Sequence, residues 1–167
     1  FQFFGALPVF LEREVGLDKA GIGLVLALNT ALTALFGMQA VRWVERRGEL
    51  AWFGVGSFLI CVGYGVNGIG HGLAPALTSI VVWSVGEMFF FPLGAAFASR
   101  RAPAGSEGRY MSAFQLGLAV PLVLAPFLGT WIYEAAGPRV LWASCAGVGV
   151  VVAASFFLLL RRVERAP

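Results

Sequence analysis

The stretch Leu73–Ser99 has the sequence LAPALTSIVVWSVGEMFFFPLGAAFAS, and its single charged side chain is Glu87, near the middle. A run of this length and polarity predicts a helix that crosses a bilayer, because a hydrocarbon core of about 30 Å requires about 20 apolar residues. A carboxylate at the centre of such a helix costs about 3 kcal/mol on insertion scales. Glu87 is therefore the first candidate for a functional residue.

The composition of the whole chain is that of a membrane protein. Hydrophobic residues make up 59% of the 167 residues and charged residues 13%, whereas soluble domains contain about 45–50% apolar residues. The apolar stretches are separated by short polar connectors, which leave no room for a domain outside the membrane. The sequence thus predicts an all-α bundle with a partial span at 1–11 and further spans at roughly 20–41, 50–69, 73–99, 110–133 and 139–160.

The first apolar segment, Phe1–Leu11, is too short to cross a bilayer, since it would measure only about 16 Å as a helix. It also lacks the basic leader and cleavage site of a signal peptide. We therefore expect residue 1 to lie inside a membrane helix and the chain to be the C-terminal part of a longer protein, with an N-terminal part absent.

Basic residues are distributed unevenly between the connectors. If the connectors alternate sides, nine of the 12 Lys and Arg residues fall on one side and three, Arg13, Lys19 and Arg139, on the other. The positive-inside rule then places the richer side and the C-terminus in the cytoplasm. This predicts a bacterial inner-membrane protein in contact with lipid. It also explains the net charge of +3 without a nucleic-acid partner.

The helical neighbours of Glu87 suggest what surrounds its carboxylate. Trp83 and Phe91 are four positions away on either side and Ser84 is three positions away, so one helix face combines an acid, a hydroxyl and aromatic rings. Such a pocket suits amphipathic and often cationic molecules, and burial of a carboxyl group favours its protonated form. We interpret Glu87 as a residue that couples protons to a substrate; the alternative is a structural residue that is hydrogen-bonded to a neighbouring helix.

Polar side chains inside the other spans are few, and three of them are candidates for the same cavity. Asn29 and Thr33 share a face of the second span, and Gln115 lies about one turn inside the fifth. Each also fits the role of a polar contact between helices. Cys61 and Cys145 lie within apolar spans and are interpreted as small buried residues. The sequence contains no motif for a metal site, a cofactor or a catalytic triad, so we expect neither an enzyme nor a cofactor.

The connector after the second span mixes charges of both signs within a few residues. It forms either a solvated positive-inside loop or a charge lock between helix ends that gates one side of a transporter. The gating candidates, which include a basic residue at the start of the fifth span, are Gly37, Arg42, Glu45, Arg46, Arg47 and Arg109.

Several short motifs occur in a fixed order along the chain. They are Leu7-Pro8-Val9-Phe10-Leu11 ahead of Gly16-Leu17, Gly23-Leu24 through Asn29, Arg42-Trp43 with Glu45-Arg46-Arg47, Gly86-Glu87 with Pro92, and Ala102-Pro103 followed by Gly108-Arg109-Tyr110-Met111. In this order and spacing they resemble the C-terminal half of a Major Facilitator Superfamily transporter, from the seventh helix, which is cut, to the twelfth. The resemblance covers essentially the whole chain and is closest to the drug:proton antiporter branch.

This resemblance implies one six-helix half of a twelve-helix fold, alternating access to a central cavity and proton-coupled export of small molecules. It also implies that protons, a small-molecule substrate and the N-terminal half of the same transporter are partners. The connector around Arg42 resembles the family's loop motif G-x-x-x-D-R-x-G-R-R, although Val41 stands where the acid is usual and Val44-Glu45 replaces the glycine position.

Two other functions fit the same residues. Gly86-Glu87 with Pro92 and Ala102-Pro103 also resembles proton-coupled oligopeptide symporters, which keeps solute import as an alternative. A membrane scaffold without transport is the second alternative, since packed helices alone require no wet cavity.

Overall fold

The computed structural model describes residues 1–44, 49–70 and 72–164. Within these ranges the chain forms a short 3-10 turn, Gln2–Phe4, followed by six α-helices. The helices are α1 (Ala6–Arg13), α2 (Lys19–Val44), α3 (Glu49–Val66), α4 (Leu73–Arg100), α5 (Glu107–Ala136) and α6 (Pro138–Glu164).

The predicted all-α membrane fold is confirmed. Helices α2, α4, α5 and α6 are each long and apolar enough to cross a membrane, and α3 contributes a shorter apolar helix, Leu50–Val66. The predicted span 50–69 extends past the end of α3, because the amides of Asn67, Gly68 and Ile69 bond to carbonyls three residues earlier and form a turn. Tight 3-10-type bonding of this kind is common where a helix terminates.

The N-terminal apolar segment is interrupted at Gly5, between the 3-10 turn and α1. A Cβ atom added at Gly5 would lie 2.6 Å from Cα of Pro126 in α5. Glycine therefore permits a close approach between this segment and α5 that a larger residue would prevent.

Helix α3 packs between α4 and α6 through glycines on two of its faces. A Cβ at Gly56 would lie 2.8 Å from the carbonyl oxygen of Gly86 in α4, and one at Gly63 would lie 2.6 Å from Cβ of Trp83. On the other face, Gly54 meets the ring of Phe156 in α6 and Gly65 meets Ala146. Small residues allow membrane helices to approach closely and to gain van der Waals contact along their length.

Aromatic rings form a continuous column through the core. Tyr64 of α3 stacks on Trp83 of α4 at 5.3 Å and on Trp142 of α6 at 6.1 Å, with interplanar angles of 12° and 8°. Phe3 and Phe10 extend this column through edge contacts to Trp83 and Trp142. Offset-stacked and edge-to-face arrangements are the favourable ones for aromatic pairs, so the column fixes the N-terminal segment against α3, α4 and α6.

Helix α5 is attached to the N-terminal segment by polar contacts. The Gln2 amide donates to the carbonyl of Ala125 at 3.0 Å, and the Tyr133 hydroxyl donates to Glu14 at 3.2 Å. Arg13 and Glu134 form an exposed ion pair at 3.8 Å. Most of α5 is otherwise exposed; Gly129 and Tyr133 are its buried residues within the described part of the chain.

Candidate functional site

A cavity of about 800 Å³ lies among the N-terminal segment, α2, α3, α4 and α6, with Pro121 of α5 at its edge. Its size is within the range of pockets that enclose a small organic molecule. Its lining consists mainly of aromatic and aliphatic side chains together with a few polar ones. The lining residues are Phe1, Phe3, Phe4, Asn29, Thr30, Phe53, Ser57, Ile60, Cys61, Tyr64, Trp83, Glu87, Phe90, Phe91, Pro121, Val148, Val152 and Phe156.

Glu87 lies in the wall of this cavity and is half-buried. Among the described residues it is the only carboxylate in the lining. Its oxygen Oε2 accepts a hydrogen bond of 2.9 Å from the Asn29 amide on α2. The charged ends of the ion pair between Arg13 and Glu134 are exposed and do not belong to the cavity. The carboxylate therefore faces an apolar space with one amide donor at its side.

The Asn29 amide is held by a second contact to α4. Its Nδ2 also donates to the hydroxyl of Ser84 at 3.0 Å, and that hydroxyl donates to the carbonyl of Ile80 at 2.6 Å. Both Asn29 and Ser84 are buried. The result is a short hydrogen-bonded network that joins α2 to α4 at Glu87.

The aromatic part of the wall comes from three helices and the N-terminal segment. Trp83 and Phe91 flank Glu87 on α4, as their spacing predicts. Phe53 of α3 stacks on Phe90 of α4 at 5.0 Å and meets Phe156 of α6 edge-on at 5.3 Å. Ring faces attract cations by about 0.5–2 kcal/mol, depending on how far water is excluded. A carboxylate surrounded by such rings is suited to hold an organic cation.

The structure brings together Glu87, Trp83, Phe91 and Asn29 around the cavity, but it does not place Thr33 or Gln115 there. The Thr33 hydroxyl donates to the backbone carbonyls of Asn29 and Thr30, and its side chain lines a second, smaller cavity of about 480 Å³. Gln115 lies on the exposed face of α5 and lines neither cavity.

Two of the predicted gating residues line the same cavity. Gly37 and Arg42 line the second cavity together with Pro92 of α4. The Arg42 guanidinium lies 3.8 Å from the Met38 sulfur. Arg109 is exposed at the start of α5. Glu45, Arg46 and Arg47 lie outside the described residues, so the charge lock stays a prediction.

Sequence reasoning missed the contribution of α3 to the cavity. Phe53, Ser57 and Cys61 line it at intervals of four residues, which is the spacing of one helix face. That periodicity was visible in the sequence, but α3 has no charged residue after Glu49, so the sequence gave no reason to assign this face to a cavity. Cys61 is a free thiol, half-buried in this wall. It therefore lines the cavity, whereas its sequence context predicts only a small buried residue.

The side chains that line the cavity determine what it can bind. The described residues include no group of three or more His, Cys, Asp or Glu side chains that is placed to hold a metal ion. What the cavity offers is one carboxylate, amide and hydroxyl groups, and a large aromatic surface. These groups can bind a proton or an amphipathic molecule and release it again.

Comparison with known proteins agrees with the all-α membrane fold. A family model described as Major Facilitator Superfamily matches residues 1–167. The chain is 22% identical over 133 residues to "Uncharacterized MFS-type transporter YqjV" of Bacillus subtilis (strain 168), a match that covers 77% of this chain and 32% of that protein.

A second relative is "Multidrug resistance protein MdtH" of Cronobacter sakazakii (strain ATCC BAA-894). The identity is 26% over 149 residues, which cover 86% of this chain and 37% of the relative. The chain therefore spans about a third of the length of the curated relatives it matches. No solved structure gives a significant match.

Proposed function

Because this chain belongs to the Major Facilitator Superfamily, we propose that it forms part of a secondary active transporter that exports small amphipathic or cationic molecules in exchange for protons. In this proposal the partners of the chain are the substrate, protons, the lipid bilayer and the N-terminal half of the same transporter. One of the relatives carries the name of a multidrug resistance protein, which supports an exporter over other transporters.

The observation that carries the proposal is the position of Glu87 in the wall of an otherwise aromatic cavity of about 800 Å³. Acidic residues within membrane spans are rare because of their insertion cost, and those that occur commonly mark ion or substrate pathways. The Asn29 amide is its hydrogen-bonding partner, so the negative charge is not neutralised by a basic side chain in the described part of the chain. The carboxylate is thus available to a cation from solution.

Protons are exchanged for substrate in this proposal because a proton and an organic cation compete for the same carboxylate. An ionised Glu87 attracts an organic cation, whereas a protonated Glu87 is neutral and loses that attraction. If the cavity opens to each side of the membrane in turn, binding of a proton on one side displaces the cation there, and release of the proton on the other side restores the site. The stoichiometry of this cycle at Glu87 is one proton for one positive charge.

The lining of the cavity argues against peptide import. A dipeptide carries a carboxylate as well as an ammonium group, and an import site needs a cationic partner for the former. None of the described residues that line the main cavity is Lys, Arg or His. Its single acid matches the charge of an ammonium compound but leaves a peptide carboxylate without a partner.

The distribution of basic residues supports insertion in a bacterial inner membrane with the C-terminus in the cytoplasm. Nine Lys and Arg residues, against three, lie on the side that would face the cytoplasm. In this orientation α4 runs inward, and Glu87 lies near the middle of the membrane.

The proposal is tested with the complete protein in inverted membrane vesicles. We expect Glu87→Gln to abolish proton-driven transport of a lipophilic cation such as tetraphenylphosphonium while the protein level stays normal, because the amide is nearly isosteric but binds no proton. Glu134→Gln is the matched control, since it makes the same chemical change at an exposed residue and should retain transport.

Two results would contradict the proposal. Unchanged cation efflux by the Glu87→Gln variant would show that this carboxylate is not the coupling group. Proton-dependent accumulation of a dipeptide without cation extrusion would instead identify an importer.

A further inference from the structure

The hydrogen bonds of Asn29 determine which way its amide points. The amide nitrogen carries two hydrogens, and both have acceptors on α4: Ser84 Oγ at 3.0 Å and Glu87 Oε2 at 2.9 Å. The Ser84 hydroxyl donates its only hydrogen to the carbonyl of Ile80, so it can only accept from Asn29. A rotated amide would place its own oxygen against two acceptors.

This arrangement affects the carboxylate more than it affects a passing substrate. Asn29 lines the cavity but is only 8% exposed, and Ser84 is fully buried and does not line it. Little of either side chain is therefore open to a substrate. The donor fixes Glu87 through Oε2. In the described part of the chain no donor is assigned to Oε1, which leaves that oxygen for a proton or a cation.

We propose that Asn29, oriented by Ser84, is a positioning residue that holds Glu87 in one rotamer and sets the pH range in which this carboxylate exchanges its proton. The inference rests on the proposed role of Glu87. Its physical basis is that a hydrogen bond to a carboxylate stabilises the ionised form over the neutral form. A hydrogen bond to a charged group contributes more than one between neutral groups.

The other titratable groups near Glu87 do not replace this contact. Tyr64 and Cys61 of α3 line the same cavity, and both side chains are neutral near neutral pH. The N-terminal segment contributes Phe1, Phe3 and Phe4 to the lining. Cys145 of α6 is a half-buried free thiol and is not among the residues that line the cavity. In the described structure, α2 and α5 contribute Asn29, Thr30 and Pro121 to the lining and no titratable side chain.

A carbodiimide tests the inference without any transported substrate. Dicyclohexylcarbodiimide is apolar and reacts with the protonated form of a carboxyl group, so the extent of Glu87 modification, read by mass spectrometry of the complete purified protein, falls as the pH rises. Asn29→Leu removes the donor, and we expect the midpoint of this curve to move up by about one to two pH units. Ser84→Ala should move it in the same direction by less, because the amide stays but is no longer oriented.

Two controls make the result specific. Glu87→Gln should abolish the modification, which identifies the labelled residue. Thr33→Val removes a hydroxyl one turn along α2 that bonds only to backbone carbonyls, and it should leave the midpoint unchanged.

The inference is overturned if Asn29→Leu and Ser84→Ala both keep the wild-type midpoint, or if Thr33→Val shifts it as much as they do. Should Asn29→Leu fail to fold, the Ser84→Ala result decides alone. The proposed function has a separate outcome: a shifted midpoint together with normal transport by the Glu87→Gln variant would support the positioning role and reject the coupling role.

Discussion

At the scale of single residues, glycine determines how closely α3 approaches its neighbours. Gly56 of α3 and Gly86 of α4 face each other, and a Cβ on either would lie less than 3 Å from a backbone oxygen of the other helix. Backbone atoms cannot rotate away as a flexible side chain can. The packing that positions Trp83 and Glu87 on α4 therefore requires glycine at both positions.

A test of this dependence is Gly56→Ala. The added methyl group forces α3 and α4 apart, and overpacking of this kind typically costs about 1–3 kcal/mol, so we expect a lower midpoint of thermal unfolding, followed by tryptophan fluorescence in detergent. Gly23→Ala is the matched control in α2, where an added Cβ meets nothing within 4 Å. Its midpoint should stay the same or rise; an equal loss in both variants would argue against the close contact.

Glu87 was predictable from the sequence, whereas its partner was not. A lone acid in a long apolar run is visible without a structure because the cost of burial makes it conspicuous. Periodicity places Asn29 and Thr33 on one face of α2, but it does not determine how far α2 is shifted along α4. The position of α2 along α4 places the Asn29 amide within hydrogen-bonding distance of Glu87. Thr33 lies one turn away and bonds to its own helix instead.

At the scale of elements, the helices are joined by two kinds of contact. Helices α3, α4 and α6 are in close contact at glycines and through stacked aromatic rings. The N-terminal segment and α5 meet through side-chain hydrogen bonds and an ion pair. Hydropathy predicted an all-α membrane fold, because length and polarity determine insertion. It did not predict the kind of contact, which depends on which side chains face each other.

Tyr133→Phe tests the contact between α5 and the residue that follows α1. The variant removes the hydroxyl that donates to Glu14 and keeps the ring, so we expect faster hydrogen exchange of the α1 amides with little change in α4. A hydrogen bond to a charged acceptor contributes about 1.5–3 kcal/mol. Tyr110→Phe, at an exposed tyrosine near the start of α5, is the control, and equal exchange in both variants would argue against the contact.

At the scale of the whole molecule, the proposed transporter and a packed scaffold differ in whether the cavity holds water. Its lining comes from the N-terminal segment and from five helices, and sequence periodicity does not indicate which faces of separate helices will meet. The sequence predicted one face of α4 and single polar candidates in α2 and α5, and most of the wall became apparent only from the fold.

Native Cys61 reports whether this cavity holds water. With Cys145 and any cysteines outside this chain replaced by alanine, a polar methanethiosulfonate reagent should modify Cys61 in the complete protein, and a bound lipophilic cation should slow the reaction at least several-fold by occupying the same space. The Cys61→Ala variant should not react. Absence of labelling in the wild-type cavity would favour a dry scaffold.

The two glycine faces of α3 also have a consequence for biogenesis. Helix α4 follows α3 after a turn of a few residues, so this pair is able to dock soon after both leave the ribosome. The face that carries Gly54 and Gly65 pairs with α6, which emerges only after α4 and α5. Until synthesis reaches α6, that face of α3 has no helix to cover it and is open to lipid.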